Sequence, residues 1–428
     1  MKKGETLAKE DGPWHLVCMQ KNTTEPMDAS KQFCPNEACS ARGKLGAGNI
    51  SIHGRKRPRY KCQTCGQTFS ARRGTALEGL RTAEEVVIKV MILLAYGCPL
   101  QAIVHAFGLD ERTIADWQKR AGKHCQQVHE AVIQNRKVET HHVQADEIRV
   151  KGRKMIVWMG LAIDVSTRLW LAGVVSPQRD KALADHLLQG VRACCRAVQA
   201  LLIATDGWKA YPKSILRAFR EKVKKTAGRG RACLEVWPEL CIATVIKRTQ
   251  KKRVVEVTRK LTWGTLEKAQ RLLTMTVGCK EFNTSLIERF NGTMRERLAS
   301  LTRKCRHAAH RLETLETGMY LIGCTYNFCF PHHELSKSTH FGYACTPAMA
   351  AGLTDHIWTV QEVVTYKIAP VPWVEPKPPQ RSRKQAGGDP AMPKRPRGRR
   401  SLHPLPDPTV PKRPRGRPRK VALSTFTS

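Results

Sequence analysis

The sequence predicts an α/β protein built on a mixed sheet, with a small metal-binding segment and a helical segment ahead of it and a disordered basic tail behind. Three observations carry that prediction. From residue 142 onward, short apolar runs of strand length give way to one long amphipathic stretch and then to another apolar run. Upstream, the cysteine pairs Cys34/Cys39 and Cys62/Cys65 bracket a basic stretch. Beyond residue 370, proline and basic residues displace most apolar ones.

Charge narrows the partner. The 428 residues carry 74 Lys+Arg against 36 Asp+Glu, a net charge of +38. Such an excess points to a polyanion, with nucleic acid first and an anionic membrane surface second. Residues 370–428 hold 14 of the 24 prolines and 15 basic residues against three acids, so +12 lies there and +26 in the other 369 residues. The folded part must itself face the polyanion. The opening MKKGETLAKEDG has no apolar h-region, and the apolar runs 86–96 and 155–163 are too short for a bilayer, which needs about 18–20 residues. These features predict a cytoplasmic protein without a membrane partner, its 16 cysteines reduced and some of them free to bind metal.

Residues 1–33 give no readable pattern. In 34–75, Cys34-Pro-Asn-Glu-Ala-Cys39 and Cys62-Gln-Thr-Cys65-Gly66 are spaced to converge on one tetrahedral Zn²⁺, with Arg55, Lys56, Arg57, Arg59 and Lys61 between them on two ribbon strands. Four cysteines leave no open position, so the ion is structural. Residues 81–122 read as three helices: one opened by a Thr82/Glu85 capping box and ended by Gly97, one from Pro99 to Gly108, and one over 111–122 with Ile114 and Trp117 inward. A glycine turn followed by a helix exposing Arg112, Asp116, Gln118 and Lys119 suggests helix-turn-helix, with Arg112 and Lys119 on DNA.

The region 140–365 holds the sheet. Strands are expected at 142–150, 155–163 and 169–175, a helix at 180–198, and a buried strand at 200–205. A later helix, 285–302, has Ile287, Phe290, Met294 and Leu301 on its apolar face. Asp146 lies inside the first strand, Asp206 ends the buried one, and Glu288 shares a helix face with Asn291 and Arg295. Three such carboxylates would make a hard oxygen site for two Mg²⁺ or Mn²⁺ ions. Glu147 and Asp164 compete for the first position, but alternation turns Glu147 to the opposite face and Asp164 reads as a polar turn. Asp206-Gly207 also suits a plain turn, and Glu288 a plain ion pair.

Read together, Gln144-Ala-Asp146-Glu, Thr205-Asp206-Gly-Trp-Lys-Ala-Tyr211 and Ile287-Glu288-Arg-Phe-Asn-Gly-Thr-Met-Arg295 resemble the three motif blocks of DDE transposases. Thr302-Arg-Lys304 and Tyr326-Asn-Phe328 with His332-His-Glu-Leu335 fit the same likeness. The sequence is most similar to the bacterial insertion sequence 1 group over roughly residues 34–365. The resemblance implies a zinc ribbon, a helix-turn-helix and an RNase H-like (retroviral-integrase-like) core. It also implies Asp146, Asp206 and Glu288 as ligands of the catalytic metals, with Arg295 the basic residue two turns beyond the glutamate. The implied partners are double-stranded DNA, both element terminal inverted repeats and target, and further copies of the chain in a homo-oligomer on that DNA. A non-catalytic regulator on the same scaffold, or another RNase H-like nuclease such as a resolvase, would carry many of the same features.

Two segments fall outside that likeness. The 82 positions from Asp206 to Glu288 exceed one strand and one helix, and include a basic hairpin at 243–247 and 253–258, expected to track a phosphate backbone. In the tail, Lys412-Arg-Pro-Arg-Gly-Arg-Pro-Arg-Lys420 resembles an AT-hook, and 394–400 is a near repeat. Gly416 would let the backbone approach a narrow minor groove while Arg415 and Arg417 enter its negative potential.

Overall fold

The computed structural model describes residues 28–54, 59–152, 156–196, 198–224, 232–251, 253–276, 281–301, 311–337 and 340–375. The chain divides into Met1–Val374 and Glu375–Ser428, and the strands and helices of the described residues all lie in the first unit. The AT-hook residues Arg415, Gly416 and Arg417, the motif at 302–304 and residues 55–58 of the basic stretch lie outside the described residues.

Three short strands, β1 (Ile50–Gly54), β2 (Arg59–Cys62) and β3 (Thr68–Ser70), pair antiparallel in that order. Their core is small: Ile50, Tyr60 and Phe69 with three of the cysteines and Ala41. Gly66 takes φ +74°, in the left-handed region that favours glycine, and its N–H donates to the Cys62 carbonyl at 2.8 Å to close the turn that aims Cys65.

Helices α1 (Glu84–Ala95), α2 (Leu100–Phe107) and α3 (Glu111–His129) follow. The Thr82 capping box does not form: Ala83 is the cap residue, without a side-chain bond, and the acids Glu84 and Glu85 serve the first turn instead. Pro99 and the left-handed Gly108 bound α2 as expected. The third helix runs well past residue 122. Gly122 does not stop it, because that glycine is there for close approach: a Cβ would lie 2.2 Å from the Thr317 carbonyl oxygen of α8 (Leu312–Phe328). Cys324 of α8 also donates its S–H to the Cys125 carbonyl at 3.0 Å. One apolar cluster therefore continues from α1 through α3 into the main sheet.

That sheet is mixed. Its order is β11-β10-β7-β4-β5-β6. Central β4 (His142–Lys151) pairs antiparallel with β5 (Ile156–Asp164), and β5 with β6 (Trp170–Ser176). On the other side β7 (Leu201–Asp206) and β10 (Leu240–Gln250) run parallel to β4, and β11 (Arg253–Trp263) closes the edge antiparallel. Between β7 and β10 lie α5 (Ala210–Ala218) and a two-stranded ribbon of β8 (Arg220–Val223) and β9 (Cys233–Val236). These, with β11 and α6 (Leu266–Met275), fill the long interval before Glu288.

Alternation along β4 distributes the two faces. Val143 and Ala145 pack with Leu187 and Leu188 of α4 (Lys181–Cys194) and Ile215 of α5. Ile148 and Val150 pack with Ile287, Phe290 and Met294 of α7 (Ser285–Arg297). That helix stops short of the expected 302 and continues as a 3₁₀ turn, Ala299–Leu301. Buried Asn327 of α8 fixes the other end of the sheet, accepting from the Trp170 N–H and donating to its carbonyl, both at 2.9 Å. Among the described residues no helix is long and apolar enough to cross a membrane.

Candidate metal centres and their surroundings

The sheet opens a cleft where β7 ends. Pairing of β4 with β7 stops at Ala145↔Thr205, and pairing of β7 with β10 stops at Asp206↔Val245. Both neighbours run on beyond that point, each held by its outer partner, and leave a gap at the carboxyl end of β7. Such a gap between parallel strands is where α/β sheets gather ligands. Arg179, Asp206, Trp208, Lys247, Thr284 and Glu288 line the cleft.

Asp146 and Asp206 meet there, as expected. Their nearest third carboxylate is Glu147, and one oxygen from each of the three lies within 4.8 Å of the others. Glu288 stands on the other wall, accepting from Thr284 Oγ1 at 2.6 Å and paired with Lys247. Sequence reasoning sets Glu147 aside because alternation sends it to the far face. The direction is right, since Tyr211 of α5 donates to its Oε2 at 2.8 Å while Asn291 of α7 donates to Asp146 at 2.8 Å. The expected separation fails because no strand lies on the β7 side of β4 past Ala145, so both side chains reach around the end of β7. Two acids adjacent on a strand that outruns its neighbour is the only sequence signal for this. Asp164 lies elsewhere, a buried turn acceptor for Thr140 Oγ1 and for the Thr167 N–H and hydroxyl at 2.8 Å.

The supporting residues are ordinary in sequence and specific in place. Gln144 accepts the N–H groups of Leu286 and Ile287 at 3.1 Å each, so a β4 side chain caps α7 and sets Glu288 against Asp146. Arg179 reaches Glu147 and lies 3.2 Å from Asp206. Its guanidinium sits 4.7 Å from the Trp208 ring centre and 5.3 Å from that of Trp158, which limits its positions. Arg295 is two turns along α7 from Glu288 and half-buried.

Burial dominates the electrostatics. It raises Asp146 to about 6, with the Asp206 and Glu288 charges adding to the rise against a backbone N–H. Burial and then Asp206 raise Glu147 to about 7, against the Tyr211 bond and Arg179. Folded-state values above the ordinary ones mean that the protonated forms stabilise the fold below about pH 4. That stability is lost as pH rises through about 6 and 7. For Glu147, whose side chain is 2% exposed, the loss is on the order of 3 kcal/mol. A divalent cation held by these acids would take over the role of the proton. The increase in melting temperature given by Mn²⁺ should therefore grow from about pH 5 to about pH 8. The same increase at both ends of that range would mean the acids do not form the ion site.

The four cysteine sulfurs also converge, all within 4.8 Å. Cys34–Cys65 is 3.6 Å and Cys39–Cys62 is 4.0 Å, close to the ~3.8 Å edge of a tetrahedron with Zn–S bonds of ~2.3 Å. Burial opposes ionisation of Cys62, but the backbone N–H groups of Cys65 and Thr64 outweigh it and bring the thiol down to about 6. Burial pushes Cys34 upward. Four converged soft donors fit a structural Zn²⁺.

No protein-family model matches the sequence, and no curated protein does either.

The expected DNA contacts on α3 separate. Arg112 is exposed in the first turn, where Asp110 accepts its N–H at 2.8 Å. Lys119 instead faces α8, its Nζ 2.8 Å from Glu313, which Lys123 also reaches at 2.9 Å. Glu313 thus ties α3 to the first turn of α8 through two lysines that stay part-exposed.

Proposed function

We propose that this chain is a DDE-type DNA transposase that binds element ends, cleaves a strand and joins the freed 3′-OH to target DNA. The observation that carries this reading is the acid cluster of Asp146, Glu147 and Asp206, with Glu288 across the cleft, at the carboxyl end of β7. Support comes from the sheet: a meander β4-β5-β6 followed by two strands parallel to β4 is the order expected of an RNase H-like core. The three converged acids, all oxygen donors, suit Mg²⁺ or Mn²⁺. When bound, such ions activate an attacking water or hydroxyl and neutralise the leaving oxygen in an in-line phosphodiester displacement.

In this scheme the chain's own groups position and shield. Asn291 and Gln144 hold Asp146 and α7 in register. Arg179 steadies Asp206 and Glu147 from the α5 face, and Lys247 offers a cation at the cleft wall to a phosphate. No side chain serves as a covalent nucleophile. The four-cysteine sheet, holding Zn²⁺, and α2–α3 supply recognition, Arg112 being among the α3 residues turned outward. A strand-transfer assay with Mg²⁺ comparing wild type and Asp206→Ala tests the reading. Product from wild type alone is expected, and equal product from both sinks the catalytic assignment.

A further inference from the structure

The hairpin of β10 and β11 is two things joined end to end. From Leu240 to Val245 the first strand is a core strand, buried except at Thr244 and paired with β7. From Ile246 onward every residue to Gln250 is exposed, and the break falls where β7 stops. The outer half pairs only within the hairpin, through Gln250↔Arg253, so it stands past the acid cleft as an arm. Five residues at ~3.3 Å each carry it about 17 Å beyond Asp206, the length of about five base pairs of duplex.

Its charge is one-sided. Residues 246–260 include seven Lys and Arg and one acid, Glu256. Three of the cations are engaged: Lys247 with Glu288, Arg248 with Glu256 at 3.7 Å, and Arg259 with Glu281 at 2.8 Å. Lys251, Arg253 and Lys260 are exposed and have no ion-pair partner among the described residues. Basic residues also guard a bare sheet edge against pairing with another copy, and β11 is such an edge. That role requires cations along the edge but no alignment with the cleft. Here the arm is rooted in the cleft wall through Val245 and Lys247.

We infer that this arm and its root form a backbone guide for duplex DNA, with Lys251 and Arg253 at the tip and Lys260, opposite Thr244, at the root, all on phosphates within about five base pairs of the scissile one. The inference rests on the transposase reading, since it takes that cleft to be where a phosphodiester reacts. It assigns sequence-independent affinity to a strand extension of the catalytic sheet, separate from α3.

The test is a salt titration of binding to a mixed-sequence duplex, followed by fluorescence anisotropy, with the full chain and its K251Q/R253Q/K260Q variant. All three positions are exposed, and far-ultraviolet circular dichroism checks that the fold is kept. Losing three phosphate contacts should reduce the slope of log affinity against log salt by about three, whatever the duplex sequence. Wild-type binding with an unchanged slope in the variant overturns the arm and leaves the transposase reading standing. Wild type that binds no duplex at low salt overturns both. A variant that changes oligomeric state by light scattering overturns the arm in favour of edge pairing between copies. If the triple variant misfolds, the single variants R253Q and K260Q should each lower the slope by about one, and unchanged slopes overturn the inference.

Discussion

A strong chelator, or the single substitution Cys62→Ser, is expected to melt the β1-β2-β3 sheet while the six-stranded sheet stays folded. The apolar core of that segment amounts to Ile50, Tyr60, Phe69 and Ala41 beside three cysteines. A core of this size does not offset the chain entropy of roughly 1–2 kcal/mol per ordered residue. Metal ligation would supply the difference, about 10–16 kcal/mol at neutral pH for four-ligand zinc segments. Loss of Cys62 should be the most damaging of the four, because its thiol is already drawn down to about 6 by backbone N–H groups aimed at the sulfur. Hydrogen exchange supplies the readout. Amides of Tyr60, Cys62 and Phe69 should lose protection as one zinc ion per chain is released, with those of β4 and β7 unchanged. Protection retained after complete chelation would refute a structural metal.

The substitution Asp146→Asn should separate chemistry from stability. It keeps the shape and an oxygen to accept from Asn291, and removes only the charge. Strand cleavage should fall on the order of 10³-fold, the upper range for one electrostatic contact to a reacting centre. The metal-free protein should become more stable at about pH 8, because a carboxylate held near 6 by burial no longer has to ionise inside the fold. Below about pH 4 the two proteins should melt alike. Asp164→Asn is the contrast: a buried acid whose bonds to Thr140 and Thr167 shape a turn, so its loss should lower stability. If Asp146→Asn destabilises at every pH and cleaves normally, the cluster is structural.

Periodicity decides which elements are legible in the sequence. Strands β5, β6 and β7 are legible because unbroken apolar runs of that length have few other uses, and β4 because apolar and polar residues largely alternate along it. α8 carries no such signal: twelve of its seventeen residues are buried, on all sides, so no stripe emerges. Gly122 reads as a terminator only if its neighbours are ignored, and Thr317, almost 200 positions away, is what requires a glycine there. The acids are legible as three conspicuous carboxylates. That Glu147 joins two of them depends on where β7 runs out beside β4, which is a property of the pairing and not of either strand's sequence.

The continuity of α3 with the sheet has a mechanical consequence. A nineteen-residue helix spans about 28 Å, close to eight base pairs of duplex, and here it has no hinge. Its outer end carries Arg112, and its inner half is locked to α8 through Gly122 and Cys125. Whatever base Arg112 touches would then lie at a fixed offset from the bond that is cut, as if the protein carried its own ruler. Inserting one base pair between recognition site and cleavage site should shift the cut along with the recognised bases, because helix and cleft move as one piece.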